Sequence, residues 1–514
     1  MFSKVYSAGL QGIDGYPVQV EADVGNGLPG FHMVGYLASE VREAEDRVRT
    51  ALKNSGFSMP PRKVTVNLSP ADIRKDGTAF DLPVAVAVLT AYGIGESSAW
   101  KSSAFVGELG LDGQIKPVKG ILSLVSALRD RGWKRCFLPK ANVSEGLAVG
   151  RIEIVGVGHL KQMIDYLGNP EKIQIEECLD GRRTEVAEGN YPMDFSEVNG
   201  QRLVRRATEV AVAGRHNILY LGSPGSGKSM MAQRIPTIMP SLSREEQLEI
   251  SEIYSICGML PQGGALLDKR PFRSPHHTIS PQAMAGGGRY PKPGEISLAS
   301  RGVLFLDEFP EFRREALEVL RQPLEERKVT ISRMNGSCTF PANVLLAAAM
   351  NPCPCGFYPD RSRCSCNREQ IRRYLGKISR PLLERIDICV ETAPVSYEDI
   401  RGKEENESSA VIRERVERAR EVQRRRFAGS GIFFNSEMGN RQVEQYCLLG
   451  KTEEELLRRA FQKKRLSVRG YHKILKVART IADLDGEERI NKTHLCEAIG
   501  YRDLEEKYWE NEGK

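Results

Sequence analysis

The chain has 514 residues, 40% of them hydrophobic, with a formal net charge of +7. That length implies several domains, the apolar fraction excludes a globally disordered chain, and the modest charge admits a nucleic-acid partner without demanding one. Met1 to Ser7 lacks a signal-peptide core, and the longest largely apolar run, Leu82 to Ile94, is too short to span a bilayer, so we expect a cytosolic protein with no membrane partner. Its eleven cysteines are then expected as free thiols or metal ligands, not a disulfide framework.

Residues 1–168 read as an α/β domain. Val18-Gln19-Val20-Glu21-Ala22-Asp23-Val24 and Val64-Thr65-Val66-Asn67-Leu68 alternate with period two, as half-buried strands do, while Ser39 to Ser55 has apolar residues at helical spacing. Two further stretches stand out. They are Arg74-Lys75-Asp76-Gly77-Thr78-Ala79-Phe80-Asp81-Leu82-Pro83, and Gly107-Glu108-Leu109-Gly110-Leu111-Asp112-Gly113-Gln114 followed by Pro117-Val118. Together they resemble the proteolytic domain of Lon, in the degenerate form found in Mg-chelatase-like proteins of the ComM/YifB family. The resemblance puts Ala79 where a Lon-type peptidase has its serine, and Leu122 and Leu124 where it has its lysine. A hydroxyl nucleophile needs both the oxygen and a nearby base. We therefore expect no peptidase activity, with Thr78 and Lys119 as the neighbouring rescue candidates, and an assembly or DNA-contact role instead. Residues 169–192 are charged and weakly periodic, as a linker would be.

Residues 193–395 read as one nucleotide-driven module. Asp194 to Gly200 leads into a helical segment, Leu203 to Ala213. The apolar run Ile218-Leu219-Tyr220-Leu221 then meets Gly222-Ser223-Pro224-Gly225-Ser226-Gly227-Lys228-Ser229, followed by helix-compatible Met230 to Arg234. G-x-x-x-x-G-K-S between a strand and a helix is the setting of a P-loop. Its glycines let backbone N–H groups converge on phosphate, Lys228 reaches the β- and γ-phosphates, and the Ser229 hydroxyl binds Mg²⁺. Val303-Leu304-Phe305-Leu306-Asp307-Glu308 describes a buried strand with an acidic tip, where Asp307 would orient water on Mg²⁺ and Glu308 would polarise the attacking water. Leu345 to Met350 is another buried strand, ending at Asn351. That amide either holds the water between Glu308 and the γ-phosphate or makes a strand-end turn.

The segment between the P-loop and Asp307 is long, basic and Gly/Pro-rich. Its Arg289, Tyr290 and Lys292 are candidates to meet a nucleic-acid backbone and stack on bases, with a flexible connector as the alternative. His276 and His277 would point to opposite sides of an extended chain, and we expect a structural role for them. Val329 to Ser332 and Ser337 to Phe340 flank Asn335-Gly336, a hairpin signal with Arg333 near its tip as a candidate DNA contact. Cys353-Pro354-Cys355 and Cys364-Ser365-Cys366 offer four thiolates in one loop, suited to tetrahedral Zn²⁺ or left as reduced free cysteines.

Residues 396–514 form a helical lid, with a strongly charged helix from Ala410 to Phe427. Arg380-Pro381-Leu382-Leu383-Glu384-Arg385-Ile386-Asp387 resembles the arginine-finger segment of AAA+ proteins in the Mg-chelatase and MCM branch. The resemblance makes Arg385 the finger, with Arg380 second. Ser467-Val468-Arg469-Gly470-Tyr471-His472 resembles the lid of that family, so Arg469 is expected to sense the γ-phosphate in its own chain. Nearly the whole chain is identified as a ComM/YifB-type AAA+ ATPase. The fold class expected is α/β, a P-loop module with helical lid behind a Lon-protease-like domain. The function implied is an ATP-driven homo-hexameric ring acting on single-stranded or branched DNA, in branch migration. Two alternatives stay open: an ATPase remodelling a protein partner, and a protease-related regulator.

Overall fold

A computed structural model describes residues 1–95, 100–176, 191–261, 266–288, 291–333, 336–393 and 406–510. Two compact units emerge. The first comprises Met1–Glu185, Ser243–Leu267 and Ser332–Thr339; the second comprises Val186–Leu242, Asp268–Ile331 and Phe340–Lys514.

The first unit is built on a seven-stranded mixed sheet. Its strands run Gly30–Val34, Lys63–Ser69, Asp14–Gly25, Phe2–Gln11, Ser103–Phe105, Arg135–Pro139 and Glu153–Val157 in spatial order. The period-two stretches in Asp14–Gly25 and Lys63–Ser69 pair antiparallel, Val20 opposite Leu68, and bury one face each. The helical expectation for Ser39 to Ser55 resolves into two helices, Ser39–Arg42 and Ala44–Asn54, meeting at Glu43. Helix Asp81–Ala91 is buried at all eleven positions. Its N-terminal Asp81 takes two hydrogen bonds of 2.8 Å from Arg47 and one of 3.2 Å from the Leu109 N–H. A carboxylate in the first turn also suits the helix dipole. Beyond residue 168 the chain still adds to this unit, since the Glu176 N–H donates to the Ile154 carbonyl at 2.8 Å. The rest of the expected linker, residues 177–190, lies outside the described residues.

Helix Arg244–Cys257 comes from the sequence of the nucleotide module, yet it belongs to the first unit. There it packs on helix Ile121–Asp130. Ser126 donates to Glu252 at 3.0 Å, Ser255 donates to Glu145 at 2.9 Å, and Leu248 joins the apolar cluster of Leu122, Leu124 and Val125.

The second unit holds a five-stranded parallel sheet, ordered Phe272–Arg273, Val303–Leu306, Leu345–Met350, Ile218–Gly222 and Ile388–Thr392. The three inner runs are buried at every position, which is why they read as continuous apolar text. The register pairs Leu221 with Met350, and Leu306 with Ala348, so the P-loop, Asp307 and Asn351 all leave from the carboxyl edge of the sheet. Ligands of open parallel sheets bind there. The C-terminal helices share the core of this sheet: Ile412, Val416, Ile474 and Ile481 lie in one cluster with Ile218, Tyr220 and Leu345. Helix Ser409–Arg426 is therefore less solvated than its charge implies. Arg415 pairs with Glu209 at 2.6 Å, and Arg426 reaches the buried Asp483 at 2.5 Å. Strands Lys328–Arg333 and Gly336–Pro341 form the expected hairpin. Among the described residues, no helix is long and apolar enough to cross a membrane.

Candidate nucleotide site

The strand Ile218–Gly222 delivers the P-loop, and Gly225 (φ +76°) and Gly227 (φ +86°) take left-handed conformations that side chains resist. They turn the chain into helix Lys228–Ile238, whose N-terminus faces the concavity. Ser226 stiffens the loop: its hydroxyl donates to the Ser223 carbonyl at 2.8 Å and lies 2.6 Å from the Thr392 hydroxyl. Lys228 donates to the carbonyls of Gly222 (2.9 Å) and Ser223 (2.8 Å) and to Asn351 Oδ1 (3.1 Å). Burial depresses its ammonium, with Asp307 acting in the opposite direction. Ser229 Oγ donates to Asp307 Oδ2 at 2.6 Å, so the two predicted magnesium ligands are adjacent. Two hard oxygen donors beside a phosphate-binding loop fit Mg²⁺.

Glu308 follows with φ +51°, a left-handed backbone on a non-glycine residue, and its side chain is 63% exposed. Its Oε2 lies 3.2 Å from Nδ1 of His277. The extended-chain reading of the two histidines is overturned here. The Ile279 N–H bonds back to the His276 carbonyl at 3.0 Å, closing a turn, and the two rings stand 4.1 Å apart instead of on opposite sides. His277 thus touches the carboxylate expected to act on water, a contact that the dipeptide alone did not signal. Beside the loop, Val198, Gln201, Val204, Gly225, Met230 and Met231 line a largely apolar cavity of about 260 Å³.

A second cavity, about 540 Å³, is lined by Arg385, Arg469, Glu325, Lys473 and Lys476, and by no P-loop residue. Arg385 bonds the carbonyls of Arg321 (3.0 Å) and Pro381 (2.6 Å) and pairs with Glu325 at 2.7 Å, leaving its side chain 11% exposed. Arg469, 62% exposed, lies 3.7 Å from the same Glu325. Arg469 and Arg385 thus share one cavity and one carboxylate, and Arg469 also lies 3.8 Å from Glu384, which closes the short helix Arg380–Leu383. Arg380 is exposed on that short helix.

The four cysteines converge. Their sulfurs all lie within 4.8 Å of one another, with Cys353–Cys355 at 3.4 Å, Cys353–Cys364 at 3.8 Å and Cys355–Cys364 at 3.6 Å. Tetrahedral zinc with about 2.3 Å bonds separates its sulfurs by about 3.8 Å. Cys353, Cys364 and Cys366 are buried.

In the first unit, Ala79 packs against the cluster containing Leu122 and Leu124. Thr78 donates to the Glu108 carboxylate, and Lys119 is exposed beside Gly258. Of the DNA candidates, Arg289 and Tyr290 lie outside the described residues, as does the side chain of Arg333; Lys292 is exposed.

The magnesium chelatase subunit ChlI family model matches residues 194–400, its companion for subunit ChlI of Mg-chelatase matches 20–142, and the ChlI C-terminal model matches 406–502. Over 499 residues the chain is 40% identical to the competence protein ComM of Haemophilus influenzae, covering 97% of each. The chain belongs to the ComM/YifB family of magnesium-chelatase-like AAA+ proteins. The uncharacterized protein YifB of Escherichia coli, 38% identical over 506 residues, spans 98% of this chain and 97% of its own. The first ChlI match contains the P-loop, Asp307, Asn351, the four cysteines and Arg385; the C-terminal match contains Arg469. Similarity to an archaeal Lon protease of Halobacterium salinarum is weaker, 27% over 157 residues, or 29% of this chain and 22% of that protein.

Proposed function

We propose that this ComM/YifB-family protein is a cytosolic ATPase that works as a homo-hexameric ring on single-stranded or branched DNA. The observation that carries the reading is the separation of two half-sites. Lys228, Ser229, Asp307 and Asn351 meet at one edge of the sheet, while Arg385 and Arg469 line a cavity without P-loop residues. A phosphoryl-transfer site built this way is completed by a neighbour, whose arginines stabilise charge developing on the γ-phosphate. Arg469 then acts together with Arg385 on the adjacent subunit's nucleotide.

In this reading the P-loop N–H groups and Lys228 hold the phosphates, and the cavity beside Gly225 takes the adenine. Ser229 and Asp307 hold Mg²⁺, which when bound neutralises phosphate charge. Glu308 polarises water positioned by Asn351. The four thiolates hold one Zn²⁺. By sequence the proposed domains are 1–168 Lon-like, 169–192 linker, 193–395 motor, which lends helix Arg244–Cys257 to the first unit, and 396–514 lid, and the Lon-like domain cleaves no peptide. The DNA substrate is supported by the name of the competence protein and by the exposed Lys292 in a basic insert. DNA as the substrate, and branch migration as the activity, go beyond family membership.

The test is ATP turnover and assembly state of the full chain, with and without forked DNA. We expect ring formation and stimulation by DNA. Turnover at full speed in a monomer would reject the shared site. A DNA-insensitive ring that co-purifies with a protein substrate would move the function to protein remodelling.

A further inference from the structure

The cysteine loop starts one residue after Asn351 and returns to the nucleotide site at two points. The first is Gly356. It lies at φ +86°, and a Cβ placed there would fall 2.4 Å from Cδ and 2.7 Å from Cγ of Pro224, in the middle of the P-loop. The turn between Cys355 and Cys364 thus lies flat against the loop that binds phosphate, and only glycine permits that approach. The second is Tyr374. Cys366 is followed by Asn367, which caps helix Arg368–Leu375 through the Gln370 N–H at 2.8 Å. That helix carries the buried Tyr374, whose hydroxyl lies near the Asn351 main chain. Asn351 in turn accepts from Lys228 at 3.1 Å.

The loop between these two points has almost no regular structure of its own. It is held by the four sulfurs, by the Tyr358 N–H donating to Cys353 Sγ at 3.4 Å, by Arg361 and Arg363 stacked on Tyr358 and Phe357, and by turn bonds such as the Cys364 N–H to the Asp360 carbonyl at 2.8 Å. N–H donors to ligating sulfur are the usual outer partners of a metal–thiolate centre.

Building on the zinc reading above, we propose that the four-thiolate zinc knuckle is a brace for the ATP site. It holds Pro224 through Gly356 and places Tyr374 beside Asn351, so nucleotide affinity depends on the bound metal. Without the ion, four thiolates repel or reprotonate, the loop loses its crosslink, and both the P-loop and Asn351 lose a wall.

The experiment uses the full chain and a fluorescent ATP analogue with Mg²⁺ present throughout. Protein purified without chelator is expected to contain about one zinc per chain. Stripping with a zinc-selective chelator should weaken analogue binding about tenfold, the size of one lost hydrogen bond to a charged phosphate, and added zinc should restore it. Gly356→Ala should retain zinc and still weaken binding about tenfold. This variant decides the matter if the stripped protein loses its circular-dichroism signal. Under half a zinc per chain overturns the metal site and the brace with it. About one zinc per chain as purified, with affinity unchanged either on stripping or in zinc-loaded Gly356→Ala, overturns the brace and leaves the metal site standing. Turnover that ignores DNA would count against the motor reading and leave this result untouched.

Discussion

At the scale of single residues, the catalytic edge is held by a few short contacts whose loss has a defined sign. The pairing of His277 with Glu308 restrains the carboxylate proposed above to polarise water. Being partly exposed, the pair is worth about 0.5–1 kcal/mol. We therefore expect His277→Ala to raise ATP turnover in the absence of DNA by about 2–5-fold at unchanged ATP affinity, measured by phosphate release. Unchanged or lower turnover would mean that the histidine supports Glu308 instead of restraining it. Glu308→Gln should cut kcat by about 10²–10⁴-fold while ATP still binds. The P-loop was legible residue by residue because its chemistry is local: glycines, lysine and serine must stand in that order for the loop to close on phosphate. His277 was not legible, because the turn at His276 to Ile279 that swings its ring toward Glu308 depends on where the following chain goes.

Between elements, two half-buried carboxylates tie helices to their neighbours, with opposite responses to pH. Glu252, on helix Arg244–Cys257, is pushed by burial up to about 6, while Ser126 and Arg129 pull the other way. Its folded value lies above its unfolded one, so the stability it contributes is complete below about pH 4.5 and is lost as pH rises through about 6. The cost at pH 8 is about 2 kcal/mol. Glu252→Gln should therefore raise the melting temperature of the first unit at pH 8 and make no difference at pH 4, as followed by calorimetry. Asp387 behaves in the reverse sense. Burial works against its charge, but Lys473 at 2.9 Å and His216 at 3.8 Å outweigh it and hold the carboxyl below the usual range. Its contribution is present above about pH 4 and fades as pH falls further. Asp387→Ala leaves the half-buried Lys473 with only the Ile386 carbonyl at 3.1 Å, and we expect a loss of about 1–3 kcal/mol in denaturant titration at neutral pH. A loss below 1 kcal/mol would show that water replaces the carboxylate. Helix Arg244–Cys257, which carries Glu252, was not read from the sequence, whereas the segment opening helix Val468–Leu484, which carries Lys473, was. The ion pairs were not, since Asp387 and Lys473 are far apart in the chain and only the lid packing on the sheet joins them.

For the whole molecule, the proposed division of the phosphoryl-transfer site between chains makes a prediction that no single subunit can meet. Lys228→Ala and Arg385→Ala should each be inactive alone. Mixed in equal amounts, half the sites keep Lys228 and half the neighbours keep Arg385, so about a quarter of the interfaces should be competent. Recovery of turnover on mixing, with none in either parent, is the expected result; no recovery would place both residues in one chain's site.

Residue order alone determined the phosphate loop, the acidic strand tip and the four thiols, while Ala79, Leu122 and Leu124 took their meaning only from the resemblance to Lon. The first three depend on side-chain chemistry or on spacing within a short stretch, where the backbone leaves few alternatives. Tertiary structure alone decided that Arg469 stands beside Arg385, that His277 meets Glu308, that helix Arg244–Cys257 joins the first unit, and that the cysteine turn leans on Pro224. Those are meetings between segments distant in the chain. They are selected by which apolar faces bury together, and no local pattern encodes that choice.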